Sequence, residues 1–430
     1  MKKIKHIYYI KLKTKKKLLN VIYNQDARNI LESIGSKTKV TTTITSPPYY
    51  DMKDYDSDNQ VGYGQTYEDY LKDLKSIFAG VFEITEENGT LWIIIDTFKR
   101  NNQVITLPFD LSDKLKEVGW LLQDVIIWKK DKTVPWSTNG FMQRKFEYIL
   151  FFSKSINYKS NKDSVRVYDT SQLKKWWIKY PERYNPKGKA LDEVWEFPIP
   201  TQGSWGDEYI RHFCPLPQDM VATMIQISTD ENDNILDPFA GSGTVLSQSA
   251  YMNRNYIGFE LNEKYISMFE EYLEKTFSKY RKEYDQFSQN KDQGDFEKRI
   301  LNLRSLKFAR VLGNNIEKNI DFDNFKIFVV PKEASKIKNK LLRVEYQIIG
   351  QIDETIFLNE AKKLINKAPL SKFGIEPIFK FVISKKFNNK DHFGYTKTNT
   401  YSYVKNADLN SPKIKVISKI CVDLNENDYL

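Results

Sequence analysis

Two stretches of this chain carry residue types that could do chemistry together. The first, Asp237 to Thr244, reads DPFAGSGT and follows an apolar run at Ile235 and Leu236, just before a helical pattern that begins at Val245. Gly241 and Gly243 remove side chains where the backbone must turn sharply from strand to helix, so a ligand can come close to the amides. Phe239, Ser242 and Thr244 complete the turn. A glycine turn alone is also an ordinary strand-to-helix connection. What adds meaning is a second apolar run, Tyr256 to Phe259, ending in Glu260, where a doubly wound sheet offers an acid to ribose hydroxyls. The spacing fits an adenosine-containing ligand.

The second stretch, Thr45-Ser46-Pro47-Pro48-Tyr49-Tyr50, closes the run VTTTI. Two prolines stiffen the chain, remove two backbone donors and leave carbonyls beside a hydroxyl and an aromatic ring. Acceptors next to a flat ring suit a planar amine. TSPPYY and DPFAGSGT together resemble the catalytic and cofactor motifs of the DNA amino-methyltransferases, which use S-adenosylmethionine to methylate an exocyclic base nitrogen. The resemblance spans roughly the first two thirds of the chain.

That resemblance implies a Rossmann-like, doubly wound α/β methyltransferase sheet with a recognition insertion and an additional C-terminal α+β domain. It assigns Ser46, Pro47, Pro48 and Tyr49 to catalysis. It assigns Asp26, Thr45, Phe213, Asp237, Phe239, Gly241, Ser242, Gly243, Thr244 and Glu260 to S-adenosylmethionine. For Asp26 a plain helix N-cap is an equal alternative. The catalytic strand precedes the glycine-loop strand, an order similar to the permuted beta class of the family. Ser at the first motif position, here Ser46, is in the family mostly a mark of cytosine-N4 enzymes, with adenine-N6 as the alternative. The implied substrate is double-stranded DNA, and the implied setting is a restriction-modification system with a cognate restriction endonuclease. Family members of this order can dimerise, so a homodimer is a further expectation. A non-catalytic DNA-binding protein on the same fold is a reading of another class, opposed by the intact motif residues.

Composition narrows the setting. A formal net charge of +10 over 430 residues suits a partner carrying phosphates. The same lysine-rich bias would arise from A/T-rich coding, which limits that inference. No apolar run approaches membrane-spanning length and the basic start builds no secretory core, so a cytoplasmic protein is expected. Cys214 and Cys421 have no CxxC spacing, so neither a zinc site nor a disulfide framework is indicated, and no metal is expected.

The elements that must position these motifs can be read from periodicity. Val21 to Tyr23 reads as a short strand, followed by a helix through Ile30 and Ile34 that ends at Gly35. The polar stretch after Tyr50, with Gly62 and Gly64 as flexible points, reads either as a solvated loop or as one that closes over substrate. Tyr70, Leu71, Leu74, Ile77, Phe78, Val81 and Phe82 recur at helical spacing. Asn88-Gly89 then turns the chain into the strand TLWIIID, which ends at Asp96. A helix through Leu111, Leu115 and Val118 stops at Gly119. Strands DVIIWKK and EYILFFSK follow, separated by a loop holding Pro135, Trp136 and Arg144.

From Asn157 to Pro200 basic and aromatic residues mix, among them Arg166, Lys174, Lys175, Trp177, Arg183 and Trp195. Basic groups reach phosphates and aromatic or amide groups reach base edges, so Arg144, Arg166, Lys174, Lys175 and Arg183 are the DNA-contact candidates. A small lobe with its own aromatic core is the other reading. His212 to Pro217 leads into a helix carrying Met220, Val221, Met224 and Ile225. The expected organisation is catalytic segments at 1–156 and 206–280, a recognition region at 157–205, a linker at 281–296 and a C-terminal domain at 297–430. In that last domain FKIFVV, YQIIG and IFKFVIS read as strands. Asp353, Glu360 and Lys362 loosely match a nuclease pattern whose spacing is short.

Overall fold

Alternation along the sheet strands puts apolar residues on two faces, and helices cover both. The computed structural model describes residues 19–52, 60–131, 142–168, 180–200, 204–205, 208–209, 215–287, 294–300, 303, 304, 307, 325–330, 343–348, 363, 378–384 and 398–404. They divide into two units, Met1–Arg166 with Ala190–Gln289, and Val167–Lys189 with Asn290–Leu430.

The first unit is built on eight strands: β1 (Val21–Tyr23), β2 (Val40–Thr45), β3 (Thr85–Ile95), β4 (Leu121–Lys129), β5 (Phe146–Ser153), β6 (Val194–Glu196), β7 (Asn234–Asp237) and β8 (Asn255–Phe259). Their spatial order is β1-β8-β7-β2-β3-β5-β4-β6. Only β5 runs against its neighbours, β3 and β4, and the other pairings are parallel. β7 therefore lies beside β2, although some 190 residues separate them in sequence, and their carboxyl ends come out together. Open parallel sheets bind ligands at such ends.

On one face lie α1 (Ile30–Ile34), α2 (Tyr67–Ile84) and α3 (Leu107–Val118), burying Leu74, Phe78, Val81, Leu111 and Leu115 against Leu91, Ile93 and Ile95 of β3. Each such side chain, fully buried, contributes about 2 kcal/mol. The intervening residues Trp92 and Ile94 point to the other face, against Met220, Met224 and Ile225 of α4 (Gln218–Ser228). There α5 (Thr244–Tyr251) and α6 (Glu263–Phe287) add Leu246, Ile266 and Phe269. β3 is covered on both sides, as its continuous apolar run requires.

Several boundaries differ from the sequence expectation. β3 begins at Thr85, and Asn88-Gly89 form an irregularity inside it, because Val40 pairs Thr85 while Thr42 pairs Thr90. α6 continues to Phe287, through residues expected to begin a linker, and residues 294–300 are helical as well. The stretch read as one recognition region is shared between the units. Lys159 pairs with Asp230 and Asp233 in the first unit, at 2.8 and 2.5 Å, and Trp195 is core, its ring tilted against Trp92 with centroids 5.9 Å apart.

In the second unit, Val167 bridges Lys189, and Phe296 and Ile300 pack with Tyr168 and Tyr184. Arg304 donates to the carbonyls of Pro181 (2.9 Å) and Tyr184, while Lys307 pairs with Glu182 at 3.0 Å. A four-stranded sheet holds β9 (Phe325–Val330), β10 (Arg343–Ile348), β11 (Ile378–Ser384) and β12 (Thr398–Val404) in that order, with β10 and β11 parallel and the outer pairs antiparallel. β12 has no counterpart in the sequence reading. Asp353, Glu360 and Lys362 lie outside the described residues.

Candidate active site

β2 and β7 deliver the two motifs to one place. Thr45, the last residue of β2, donates its hydroxyl to Asp237 Oδ1 at 2.7 Å, and the Phe239 amide donates to the same oxygen at 3.0 Å. Burial pushes the Asp237 carboxyl up to about 7, opposed by those two donors and reinforced by the nearby charge of Glu260. Beyond Asp237 the chain turns through Gly241 (φ 53°) and Gly243 (φ 82°), both left-handed. At Gly243 a side chain is excluded on two grounds, since an added Cβ would sit 2.2 Å from the Phe269 ring. Ser242 and Thr244 are buried beside it.

Glu260 closes the other side. Its Oε2 accepts the Gly241 amide at 2.7 Å and its Oε1 the Asn262 amide at 2.8 Å. Burial raises this carboxyl, and those amides oppose the rise. Asn24, just past β1, donates to the carbonyls of Glu260 and Leu261 at 3.1 and 2.9 Å, tying the two strand ends together. Asp26 caps the turn after β1 by accepting the Arg28 amide at 2.8 Å, and it is paired with the Arg28 guanidinium at 2.6 Å. The N-cap reading of Asp26 thus describes its contacts, and Arg28 also reaches Asp73 at 3.1 Å.

The residues after Thr45 are held by partners that the motif does not contain. Tyr70 donates to the Pro48 carbonyl at 2.6 Å. Tyr50 sits at φ 55°, its ring packed among Tyr67, Tyr70 and Phe98, its hydroxyl donating to the Gln65 carbonyl and accepting from Arg100 at 2.8 Å. A left-handed tyrosine is uncommon and persists only where surroundings fix it. Gly62 is one of those surroundings, and not the flexible point expected, since an added Cβ would lie 2.9 Å from the Tyr50 carbonyl oxygen. Gln60 and Val61 are buried too.

Behind the turn, Ser46 donates to the Tyr49 hydroxyl at 3.4 Å, Tyr49 donates to Glu147 at 2.9 Å, and Lys130 pairs with Glu147. Burial, with the Glu147 charge next, holds the Tyr49 phenol well above its ordinary range. Arg144 pairs with Asp96 at 3.3 Å and donates to Thr97 at 3.0 Å, at the end of β3. Asp96 is raised by burial, against the attraction of Arg144.

Of the DNA-contact candidates, Arg144 therefore lies beside the SPPY turn. Arg166 has its guanidinium paired with Asp163 at 2.6 Å, and its side chain is 17% exposed. Arg183 stacks over Tyr180, 4.6 Å from the ring centroid, in the second unit. Phe213, Lys174 and Lys175 lie outside the described residues, as do His212, Cys214, Pro135 and Trp136. Sequence reasoning missed Tyr70, Arg100, Lys130 and Glu147. The last two had a usable signal, an acid and a base facing each other across the ends of two consecutive strands.

The strand order and the glycine loop beside a proline-rich turn define a Rossmann-like methyltransferase fold. The model of the N6/N4 DNA methylase family matches residues 40–271, just over half of the chain, and the chain belongs to that family. It is similar to the type II methyltransferase M.XycI of Xanthomonas campestris pv. cyanopsidis, 28% identical over 279 residues, with 58% of this chain and 86% of that one covered. M.SmaI of Serratia marcescens is 28% identical over 278 residues, covering 57% and 88%. Among solved structures, a putative DNA modification methylase from Thermus thermophilus, in complex with S-adenosyl-L-methionine, matches with a TM-score of 0.43 and 24% identity, over 60% of this chain and 96% of that one. The cytosine-N4-specific PvuII DNA methyltransferase matches with a TM-score of 0.45 and 16% identity, over 61% and 92%. Among the described residues no helix is long and apolar enough to cross a membrane.

Proposed function

We propose that this chain is a site-specific methyltransferase that methylates the exocyclic N4 of cytosine in double-stranded DNA, as the modification enzyme of a restriction-modification system. The observation that carries the reading is the 2.7 Å bond from Thr45 to Asp237, which joins the SPPY turn to the glycine loop. Family membership supports DNA as substrate, and Ser46 at the first motif position supports cytosine over adenine. A restriction endonuclease cutting the same site is the functional counterpart.

The loop fits S-adenosylmethionine on its chemistry. Asp237, buried, and Glu260, half-buried, are acceptors, the complement of a ligand that presents hydroxyl and ammonium donors and carries positive charge. Gly241, Ser242, Gly243 and Thr244 let such a ligand lie against the backbone, Phe239 flanks it, and Asp26 stands at the neighbouring strand end. When bound, S-adenosylmethionine supplies an electrophilic sulfonium methyl.

The chain's own residues answer the difficulty of the acceptor. An exocyclic base amine is a poor nucleophile because its lone pair is delocalised into the ring. Ser46 Oγ and the Pro47 carbonyl accept the amine hydrogens, which favours a pyramidal nitrogen with its lone pair directed outward. Pro48 stiffens the turn and Tyr49 offers its ring to the base. The target amine is inside the duplex, so the base must be flipped out of the stack. Nucleoside mass spectrometry after incubation with S-adenosylmethionine and DNA containing every short site tests the choice of base. N4-methylcytosine is the expected product, and N6-methyladenine would replace the cytosine assignment.

A further inference from the structure

The SPPY turn is backed by a directed chain of hydrogen bonds that ends on an ion pair. Ser46 Oγ lies 3.4 Å from the Tyr49 hydroxyl, and that hydroxyl lies 2.9 Å from Glu147 Oε2, while Lys130 Nζ holds Glu147 Oε1. The pair is well sheltered, with the Lys130 and Glu147 side chains 19% and 13% exposed. It is also rigidly placed. Glu147 is the second residue of β5 and pairs Trp128 in the antiparallel register with β4, and the Lys130 amide donates to the Lys145 carbonyl at 2.8 Å.

Direction follows from the chemistry of the groups. A carboxylate in an ion pair only accepts, so the Tyr49 phenol must donate to it. Burial and the charge of Glu147 keep that phenol protonated and able to donate. Its oxygen then accepts, so Ser46 donates to Tyr49, and the lone pairs of Ser46 Oγ are left to receive a hydrogen from outside. The chain therefore sets Ser46 as an acceptor before any base arrives.

We propose that Glu147 is a positioning residue for methyl transfer, orienting Ser46 through Tyr49 and serving as the final acceptor of the amine proton. This rests on the reading that an exocyclic amine is methylated. Once the nitrogen carries the methyl group it is cationic, and its N–H bond breaks with the electron pair staying on nitrogen. The proton bonds to Ser46 Oγ as the proton of Ser46 passes to the Tyr49 oxygen and that of Tyr49 passes to Glu147 Oε2. Glu147 ends as the neutral acid and returns its proton to solvent. Nothing is oxidised or reduced. Among the described residues, the charged groups around the chain are Lys130 after β4, Asp96 after β3 and Arg144 before β5.

The test is the single-turnover rate of methyl transfer to DNA for wild type, Glu147→Gln, Glu147→Asp, Tyr49→Phe and the Glu147→Gln/Tyr49→Phe double variant. Cofactor affinity and melting temperature are measured on each. Glu147→Gln is expected to slow transfer about tenfold to a hundredfold, with cofactor affinity and melting temperature unchanged. Glu147→Asp should recover part of the rate. The double variant should be no slower than the slower single one, because both act on one chain. A wild-type rate in Glu147→Gln, or additive losses in the double variant, would overturn the inference while leaving the methyltransferase reading intact. A wild-type protein that transfers no methyl group would remove both.

Discussion

Replacing Asp237 by Asn should make the first unit more stable at pH 8 and less stable at pH 4. In the fold the Asp237 carboxyl is raised to about 7, from 3.8 in an unstructured chain, chiefly by burial. Between those values the folded state keeps a proton that the unfolded state has lost. Stability therefore falls as pH rises, by about 1.4 kcal/mol per pH unit, or about 4 kcal/mol across the window. Both donors to this side chain, Thr45 Oγ1 and the Phe239 amide, land on Oδ1, which an Asn oxygen can replace. The new amide N–H group takes the place of Oδ2, where no hydrogen-bond partner meets it among the described residues, and costs about 1–3 kcal/mol. At pH 8 the relief of the buried charge exceeds that cost, while at pH 4 only the cost remains. Urea unfolding of wild type and Asp237→Asn at steps from pH 4 to pH 8 measures the gap. A gap that stays constant across this range would refute the assignment of a proton to Asp237.

Three further outcomes follow from the same geometry. Thr45→Val keeps the shape of the side chain but removes a donor that favours the charged form of Asp237, so the fall of stability with pH should continue above pH 7 in the same unfolding series. Gly243→Ala should destabilise by about 2–4 kcal/mol, combining left-handed strain with the clash against Phe269, and Phe269→Leu in the same chain should recover part of the loss of melting temperature. Tyr70→Phe removes the hydroxyl that holds the Pro48 carbonyl. It should cost about 1 kcal/mol in stability, and kcat should fall with cofactor affinity preserved.

Much of the fold was legible because its signals are local. The helical spacing from Tyr70 to Phe82, the stop at Gly119 and the unbroken apolar run of TLWIIID each reflect one element meeting the core, and each signal falls within the element expected, although the strand of TLWIIID begins earlier, at Thr85. The meeting of Thr45 with Asp237 was legible in another way, through two motifs that mean little apart. What sequence hid is non-local. Gln60 and Val61 look like part of a solvated loop, yet they are buried beside Gly62, which lies against the Tyr50 backbone. Trp195 sits among basic residues, yet it joins the sheet edge and packs toward Trp92. α6 passes through a charged stretch because its apolar residues need occupy only one face, and a polar composition does not end a helix. Glu147 and Lys130 each read as the charged end of a strand, and only the pairing of β4 with β5 brings them to Tyr49.

The most direct measurement is the transfer of a labelled methyl group from S-adenosylmethionine to duplex DNA by wild type and Ser46→Ala, with cofactor binding measured on both. Labelled DNA from wild type alone, with binding retained in the variant, is the predicted result. Cofactor binding without labelled DNA from wild type, or equal labelling by the two proteins, would contradict it.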